Sequence, residues 1–280
     1  MPYDPSDVPG YPSPPEVTYQ NISGIVCLVM ESMMVVANIL PIVVVVWWKR
    51  PRERLSTDHI IAALSVTDIL SVVIPSPLGL VSYFNRKWYG GYNTCAFYQL
   101  TTSWFQLTSL VLVTYMCVDR LRCVIAATSQ RLVLTSNTNV KYNIFVIYLV
   151  TLGVSCLPLV HLGPDALSTS GKLCQSWIIA TPKLHKEHTF YITFLSMGLA
   201  NLLTVIVVNV RVHMVLRMYL SKLKDGQTAA IGDDKNITVA AQDRKAVVDC
   251  SKMVAMITLV CYLAWLPALV SAYGTFEYAR

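Results

Sequence analysis

Cys95 and the pair Asp119-Arg120 are separated by an almost uncharged segment, 96–118, that is rich in Leu, Val, Thr and Tyr. An α-helix rises about 1.5 Å per residue, so the segment covers roughly 37 Å from Cys95 to Arg120. That length is close to the roughly 40 Å thickness of a bilayer with its interfacial regions. One helix can therefore hold a cysteine at one water interface and a charged pair at the other.

The composition indicates that much of the chain is solvated by lipid. Of its 280 residues, 54% are hydrophobic and 14% are charged, and the mean hydropathy is +0.51, whereas soluble domains contain about 25% charged residues. The net charge of +6 would otherwise suggest a nucleic-acid partner. Because the basic residues gather at the ends of apolar segments, we interpret them as a membrane-orientation signal and expect membrane lipids, not nucleic acid, as partners.

Six apolar segments are each long enough to cross a bilayer, which takes about 20 helical residues. Backbone polar groups in lipid must be satisfied within each segment, so segments of this length predict helices and not the short strands of a barrel. The predicted fold class is an all-α transmembrane helical bundle. Its helices are expected at about 22–48, 57–84, 92–124, 141–163, 188–220 and 246–274.

The two ends of the first helix are predicted to lie on opposite sides of the membrane. Residues 1–21 include six prolines and are expected to form a disordered extracellular tail, ahead of one transmembrane domain, 22–280. The loops after the first, third and fifth segments are rich in Lys and Arg, which predicts that they are cytoplasmic. We therefore expect a multi-pass plasma-membrane protein, with Asn21 of Asn21-Ile22-Ser23 as an extracellular glycosylation site.

Only two of the eight cysteines, Cys95 and Cys174, lie in clearly extracellular predicted loops. A single disulfide between them is the simplest interpretation; the alternative is two unpaired thiols. The other cysteines fall within apolar segments or near their cytoplasmic ends.

Asp68 lies in the middle of the second predicted helix, where a carboxylate is costly unless it faces the bundle interior, a partner or water. It is either a neutral structural residue or an ion or water site that responds to a conformational change. We expect Asn38 of the first helix to be its hydrogen-bonding neighbour. Glu31 is a second acid in an apolar segment, without an evident partner.

Two further features could act as switches. Arg120 is either an interfacial anchor whose side chain reaches water, or a latch that pairs with Asp119 at rest and swings into a cavity that opens for an intracellular partner. Pro267, two residues after Trp265, removes a backbone hydrogen bond and bends the sixth helix. Repacking around Trp265 could then move the cytoplasmic end of this helix; the alternative is a static kink, which is also our interpretation of Pro75, Pro77 and Pro158.

Over about 22–276 the chain resembles a rhodopsin-like (class A) G-protein-coupled receptor, with six of the seven helices present. The residues that carry this resemblance, each in the expected helix or loop, are Asn38, Asp68, Cys95, Asp119, Arg120, Cys174, Trp265, Leu266 and Pro267. The resemblance implies a receptor that couples an extracellular ligand to a heterotrimeric G protein through movement of helix 6 and release of Arg120.

A narrower resemblance is to the prostanoid receptors, and most to the prostaglandin E group. It rests on Val66-Thr67-Asp68-Ile69-Leu70 with Ser76-Pro77 and Ser82-Tyr83, on Cys156-Leu157-Pro158-Leu159, and on a fifth segment without proline. This similarity implies that the ligand is a small lipid acid that resembles a prostaglandin.

The resemblance also implies the residues that bind this ligand. Tyr83 matches the tyrosine that receives the ligand carboxylate in that family, Ser76 matches a polar pocket position, and Thr102 would face the same cavity. Lys172 stands where the family has a carboxylate-binding threonine. A lysine there could hold the acid by charge or point into solvent.

Several alternatives stay open. No seventh apolar segment follows 246–274, so the chain is expected to be either a fragment or a truncated, non-signalling product that acts as a decoy. Departures from the family, such as Leu121 and Cys261, leave room for a divergent receptor with another ligand. Inverted repeats typical of transporters are absent from the sequence. Scattered histidines and the lack of a catalytic motif predict no enzyme, no cofactor and no metal site.

Overall fold

The computed structural model of the protein describes residues 14–48, 50, 56–85, 87–128, 137–160, 174 and 188–229, and nearly all of these are helical. The elements are α1 (Pro14–Val43) with a π-helical turn (Val44–Trp48), α2 (Ser56–Val73), α3 (Ser76–Asn85), α4 (Gly91–Thr128), α5 (Asn137–Ser155) with a 3₁₀ turn (Leu157–Val160), and α6 (His188–Ala229). The all-α prediction is confirmed. These elements correspond to the first five predicted segments, while 246–274 lies outside the described residues.

The first helix begins earlier than the sequence predicts. α1 starts at Pro14, so residues 14–21 are helical and do not belong to a disordered tail. Proline is well tolerated in the first turn of a helix, because the N–H group that it lacks would have no intrahelical partner there. The proline-rich composition therefore predicted disorder at residues where a helix begins.

The second predicted segment, 57–84, is interrupted near Pro75. α2 ends at Val73 and α3 starts at Ser76, since proline has no N–H group with which to continue the hydrogen-bond ladder. The carbonyl of Pro75 then accepts bonds from the backbone N–H groups of Leu78 (3.1 Å) and Gly79 (3.2 Å), which start the new helix. At Pro75, where a kink was expected, the structure thus has a break between two helices.

α4 is the central helix of the bundle. It packs against α2, α5 and α6, whereas α1 packs against α2 and α3. Buried residues of α4 run from Cys95 to Val124 and lie on most sides of the helix. Its hydroxyl groups bond to backbone carbonyls one turn earlier, as in Thr108 to Trp104 (2.7 Å). Because other helices enclose it, α4 can carry more polar residues than a helix that faces lipid.

Three helical stretches of the described chain are long and apolar enough to cross a membrane by length and composition: Gly24–Trp48, Ser56–Asn85 and Ile192–Met218. A shorter apolar helix covers Asn139–Ser155. Large hydrophobic side chains of α1 are widely exposed, for example Met30 and Val36, which suits a helix in contact with lipid. The third predicted segment, now α4, meets the length requirement but is less apolar than these three.

A polar network ties α2, α4 and α5 together in the middle of the bundle. The Tyr148 hydroxyl is hydrogen-bonded to the Thr67 hydroxyl and donates to the carbonyl of Ala63 at 3.3 Å. The indole of Trp104 donates to the carbonyl of Tyr148 at 3.1 Å. These bonds fix the rotation of α5 against its two neighbours, which apolar contacts alone would leave less defined.

Replacing Tyr148 by phenylalanine should test this network. Thr67 retains its own bond to the Ala63 carbonyl (2.8 Å), so we expect Tyr148→Phe to cost about 1 kcal/mol and to lower the apparent melting temperature in detergent by a few degrees. Tyr142→Phe is the matched control, because Tyr142 lies on the same helix and is exposed. Equal melting temperatures for both variants would contradict a stabilising role.

Candidate functional site

Cys95 and Cys174 form a disulfide, with their Cα atoms 5.6 Å apart. Cys95 is fully buried in the second turn of α4, and the amide of Gln99 donates to the sulfur of Cys174 at 3.6 Å. The predicted pairing is confirmed. The bond joins residues 79 positions apart and holds Cys174 against the first turns of α4.

Trp88, just before α4, supports this end of the bundle and was not anticipated. Its ring is buried beside Cys95 and Phe190 and lies 5.7 Å from the ring of Tyr98. Its indole donates to the carbonyl of Gly91 at 2.8 Å, and Gly91 has a positive φ of 68°, which glycine adopts readily. The signal in the sequence was a tryptophan close to two glycines at the start of a predicted helix.

Asp68 is bonded to α4. One carboxylate oxygen accepts a hydrogen bond from the Ser109 hydroxyl at 2.7 Å. The expected bond to Asn38 is not found within the described helices, because the Asn38 amide donates to the carbonyl of Met34 on its own helix at 3.0 Å. The predicted hydrogen bond between Asn38 and Asp68 is therefore not formed, and Ser109 is the partner that sequence reasoning missed.

Glu31, for which the sequence offered no partner, contacts the second segment after its break. The Ser76 hydroxyl donates to a Glu31 carboxylate oxygen at 2.6 Å, and both residues are partly buried. The break at Pro75 makes Ser76 the first residue of α3. Ser76, a predicted ligand contact, is thus already bonded to an acid on α1.

Tyr83 lies on the same side of α3 as Ser76. A Cβ atom placed on Gly24 of α1 would lie 3.3 Å from the Tyr83 ring and 2.7 Å from the Phe84 ring, so glycine allows this close approach of α1 and α3. Tyr83 is 44% exposed. Ser76 and Tyr83 thus both lie along the contact between α1 and α3, two helical turns apart.

Thr102 lies on α4, where its hydroxyl donates to the carbonyl of Tyr98 at 2.7 Å. Tyr98 itself faces α3, since its hydroxyl would lie 2.9 Å from a Cβ atom on Gly79. Residues four apart share a helix face, so Thr102 lies on the α3-facing side of α4, one turn further into the bundle.

Lys172 lies outside the described residues, as do Trp265 and Pro267.

Asp119 and Arg120, at the other end of α4, do not form the predicted ion pair. Asp119 is buried, and its carboxylate accepts bonds from the hydroxyls of Ser56 (2.9 Å) and Thr57 (3.1 Å) at the start of α2. The Nε atom of Arg120 is buried without a hydrogen-bond partner. The two α2 hydroxyls reach the carboxylate from a neighbouring helix, whereas the side chains of adjacent helical residues diverge.

Two other features bear on the site. A cavity of 340 Å³ is lined mainly by apolar side chains, among them Pro77, Val81, Trp88 and Tyr89, but Tyr83 and Thr102 do not line it. Among the described residues, no group of three or more His, Cys, Asp or Glu side chains is placed to hold a metal ion. Asn21, the predicted glycosylation site, is exposed on α1.

The family of the chain follows from its similarity to known proteins. The family model for the seven-transmembrane receptors of the rhodopsin family matches residues 37–277. The chain belongs to this family. It is therefore a multi-pass membrane receptor and not an enzyme. Squid rhodopsin has a similar structure, with a TM-score of 0.78 over 99% of this receptor and 80% of the squid chain at 18% identity, which supports the fold alone.

The similarity to individual curated receptors covers a shorter part of the chain. The human prostaglandin E2 receptor EP4 subtype is 28% identical to this receptor over 92 residues, or 33% of this chain and 19% of the human protein. The cattle protein of the same description is 27% identical over the same length. The receptor thus matches about a fifth of the length of these relatives.

Removing the disulfide should destabilise the receptor. We expect Cys95→Ala to lower its stability by about 2–4 kcal/mol and to reduce the amount of folded protein at the cell surface. Cys27→Ala is the matched control, because Cys27 is an exposed free cysteine on α1. Thermal unfolding of both variants, with and without a reducing agent, gives the test. Equal sensitivity of the Cys95→Ala variant and the unchanged protein to reduction would contradict this role.

Proposed function

We propose that this protein is a plasma-membrane receptor for a small lipid acid of the prostaglandin type, with its N-terminus outside the cell. Binding of the ligand activates a heterotrimeric G protein through movement of helix 6 and engagement of Arg120. The observation that carries the signalling part of the proposal is the state of Arg120, whose Nε atom is buried but unbonded.

The inner end of α4 is suited to an intracellular partner. Ser56 and Thr57 both donate to one oxygen of the Asp119 carboxylate, which directs this carboxylate towards the start of α2. A buried donor without a partner costs about 1–3 kcal/mol. A partner that offers carbonyl or carboxylate oxygens would recover this free energy, which supports Arg120 as a contact for the G protein.

The latch is accordingly proposed in a revised form. At rest Asp119 anchors α4 to α2, and Arg120 is held by packing instead of charge. Movement of helix 6 about Pro267, next to Trp265, would open the space that Arg120 enters; this step rests on the sequence. The Asp68–Ser109 bond between α2 and α4 is the element expected to respond in the middle of the bundle.

The ligand class is supported by two lines. Relatives that match part of the chain are described as prostaglandin E2 receptors. Tyr83, a half-exposed phenol at the contact of α1 and α3, offers a donor for a carboxylate beside the apolar side chains that a fatty acid needs. Thr102, in the position where aminergic receptors carry an aspartate, provides no charge for an amine. We propose Lys172 as a second donor to the acid.

Replacement of Arg120 tests the signalling proposal. We expect Arg120→Ala to reduce ligand-driven nucleotide exchange on a G protein by more than 10-fold, because the unbonded Nε–H group of Arg120 is the donor offered to the partner. Arg122→Ala is the matched control, since Arg122 is exposed one half-turn further along α4. Both variants should bind ligand as the unchanged receptor does. A receptor that binds ligand without stimulating exchange in any form would instead be a decoy.

Replacement of Tyr83 tests the ligand proposal. Tyr83→Phe keeps the ring against Gly24 and removes the hydroxyl, so we expect the affinity for prostaglandin E2 to fall about 10-fold. The affinity for the methyl ester of prostaglandin E2, which lacks the charged acid, should fall much less. Tyr92→Phe is the control, because Tyr92 is exposed at the start of α4. Equal losses for acid and ester would contradict the assignment of the carboxylate to Tyr83.

A further inference from the structure

Glu31 is an acid within a stretch of α1 that is apolar enough to cross a membrane. An ionisable side chain at such a depth is costly and usually marks a functional site. Neighbours on α1 such as Met30 and Met33 are widely exposed, whereas Glu31 is partly buried and turned towards α3, where Ser76 donates to it. Its carboxylate therefore belongs to the contact between α1 and α3 and not to the lipid-facing surface.

The bond to Ser76 leaves Glu31 with unused capacity. A carboxylate has about four acceptor positions, and Ser76 occupies one of them. The remaining positions can take a hydrogen bond only from a donor, such as a hydroxyl group. The Tyr98 hydroxyl, which faces α3 at Gly79, adds a polar group on the α4 side.

This arrangement opposes the placement of a ligand carboxylate at Ser76. The Ser76 proton is committed to Glu31, and two carboxyl groups side by side repel each other when both are ionised. The acid of a lipid ligand is therefore directed away from Glu31. Tyr83 lies on the same side of α3, seven residues along the helix, or roughly 10 Å away.

We propose that Glu31 is the acceptor for a hydroxyl group of a lipid acid whose carboxylate lies at Tyr83. The spacing along α3 then selects a ligand with a hydroxyl roughly 10 Å from its acid, and Ser76 serves as a positioning residue that orients the Glu31 carboxylate. This inference rests on the proposed function, since it assumes a lipid acid in the same site. It adds the ligand group that fixes orientation and specificity.

The test measures binding to the full chain in membranes with three probes: prostaglandin E2 and two analogues that each lack one of its hydroxyl groups. For the unchanged receptor we expect one analogue to bind about 10- to 100-fold more weakly than prostaglandin E2, as for a lost hydrogen bond to a charged group. Glu31→Met should weaken the binding of prostaglandin E2 by the same factor and leave the binding of that analogue unchanged. The substitution in the receptor and the missing hydroxyl in the analogue each remove the same interaction.

Two further variants separate binding from folding. Glu31→Gln keeps a carbonyl acceptor and should restore part of the discrimination, which a purely structural role for Glu31 would not predict. Ser76→Ala leaves Glu31 in place and should retain most of the discrimination; its complete loss would assign the hydroxyl to Ser76 and overturn the proposal. Surface expression and thermal unfolding of each variant show whether the bundle is intact.

The outcomes distinguish the two proposals. In one outcome, the receptor binds prostaglandin E2 saturably, and Glu31→Met and Glu31→Gln leave its preference for the hydroxyl group unchanged. This result would overturn the role of Glu31 and leave the proposed function standing. Failure of the unchanged receptor to bind prostaglandin E2 would reject the proposed ligand class, and the role of Glu31 would fall with it. Loss of discrimination in Glu31→Met with partial recovery in Glu31→Gln supports both.

Discussion

Lipid offers no hydrogen-bond partners, so the polar side chains of this receptor depend on partners within the protein. Many hydroxyls bond to a carbonyl one turn earlier on their own helix, as Thr108 does. Three carboxylates of the described helices reach across to another helix. Their bonds join Glu31 to Ser76, Asp68 to Ser109, and Asp119 to Ser56 and Thr57. Each of these contacts also sets how the two helices are turned relative to each other, because apolar surfaces pack in several rotations.

α4 is the helix through which these constraints meet. The disulfide to Cys174 holds one end, Ser109 contacts Asp68 of α2 partway along, and Asp119 joins the start of α2 near the other end. A rigid central helix with bonded contacts at several depths is suited to pass a change in packing from one face of the membrane to the other. We propose that Arg120, whose Nε atom is unbonded, is the group near that other end of α4 that such a change brings into use.

The break at Pro75 matters because of the residue that follows it. Ser76 is the first residue of α3, and its hydroxyl donates to Glu31 of α1. Gly24 lets the same two helices approach closely beside Tyr83. A proline, a glycine and an acid, each unremarkable in a hydropathy profile, together define the polar character of the contact where we propose that the ligand lies.

The sequence by itself determined the all-α architecture, the approximate bounds of the five described segments and the Cys95–Cys174 bond, because segment length, hydropathy and cysteine position are properties of the local chain. It misplaced the start of α1, since proline is common both in tails and in first helical turns. Only the tertiary structure decided which partner each polar side chain takes. Asn38 bonds within α1 and Asp119 bonds to α2, because several acceptors and donors lie within reach and the rotation and packing of the helices select among them.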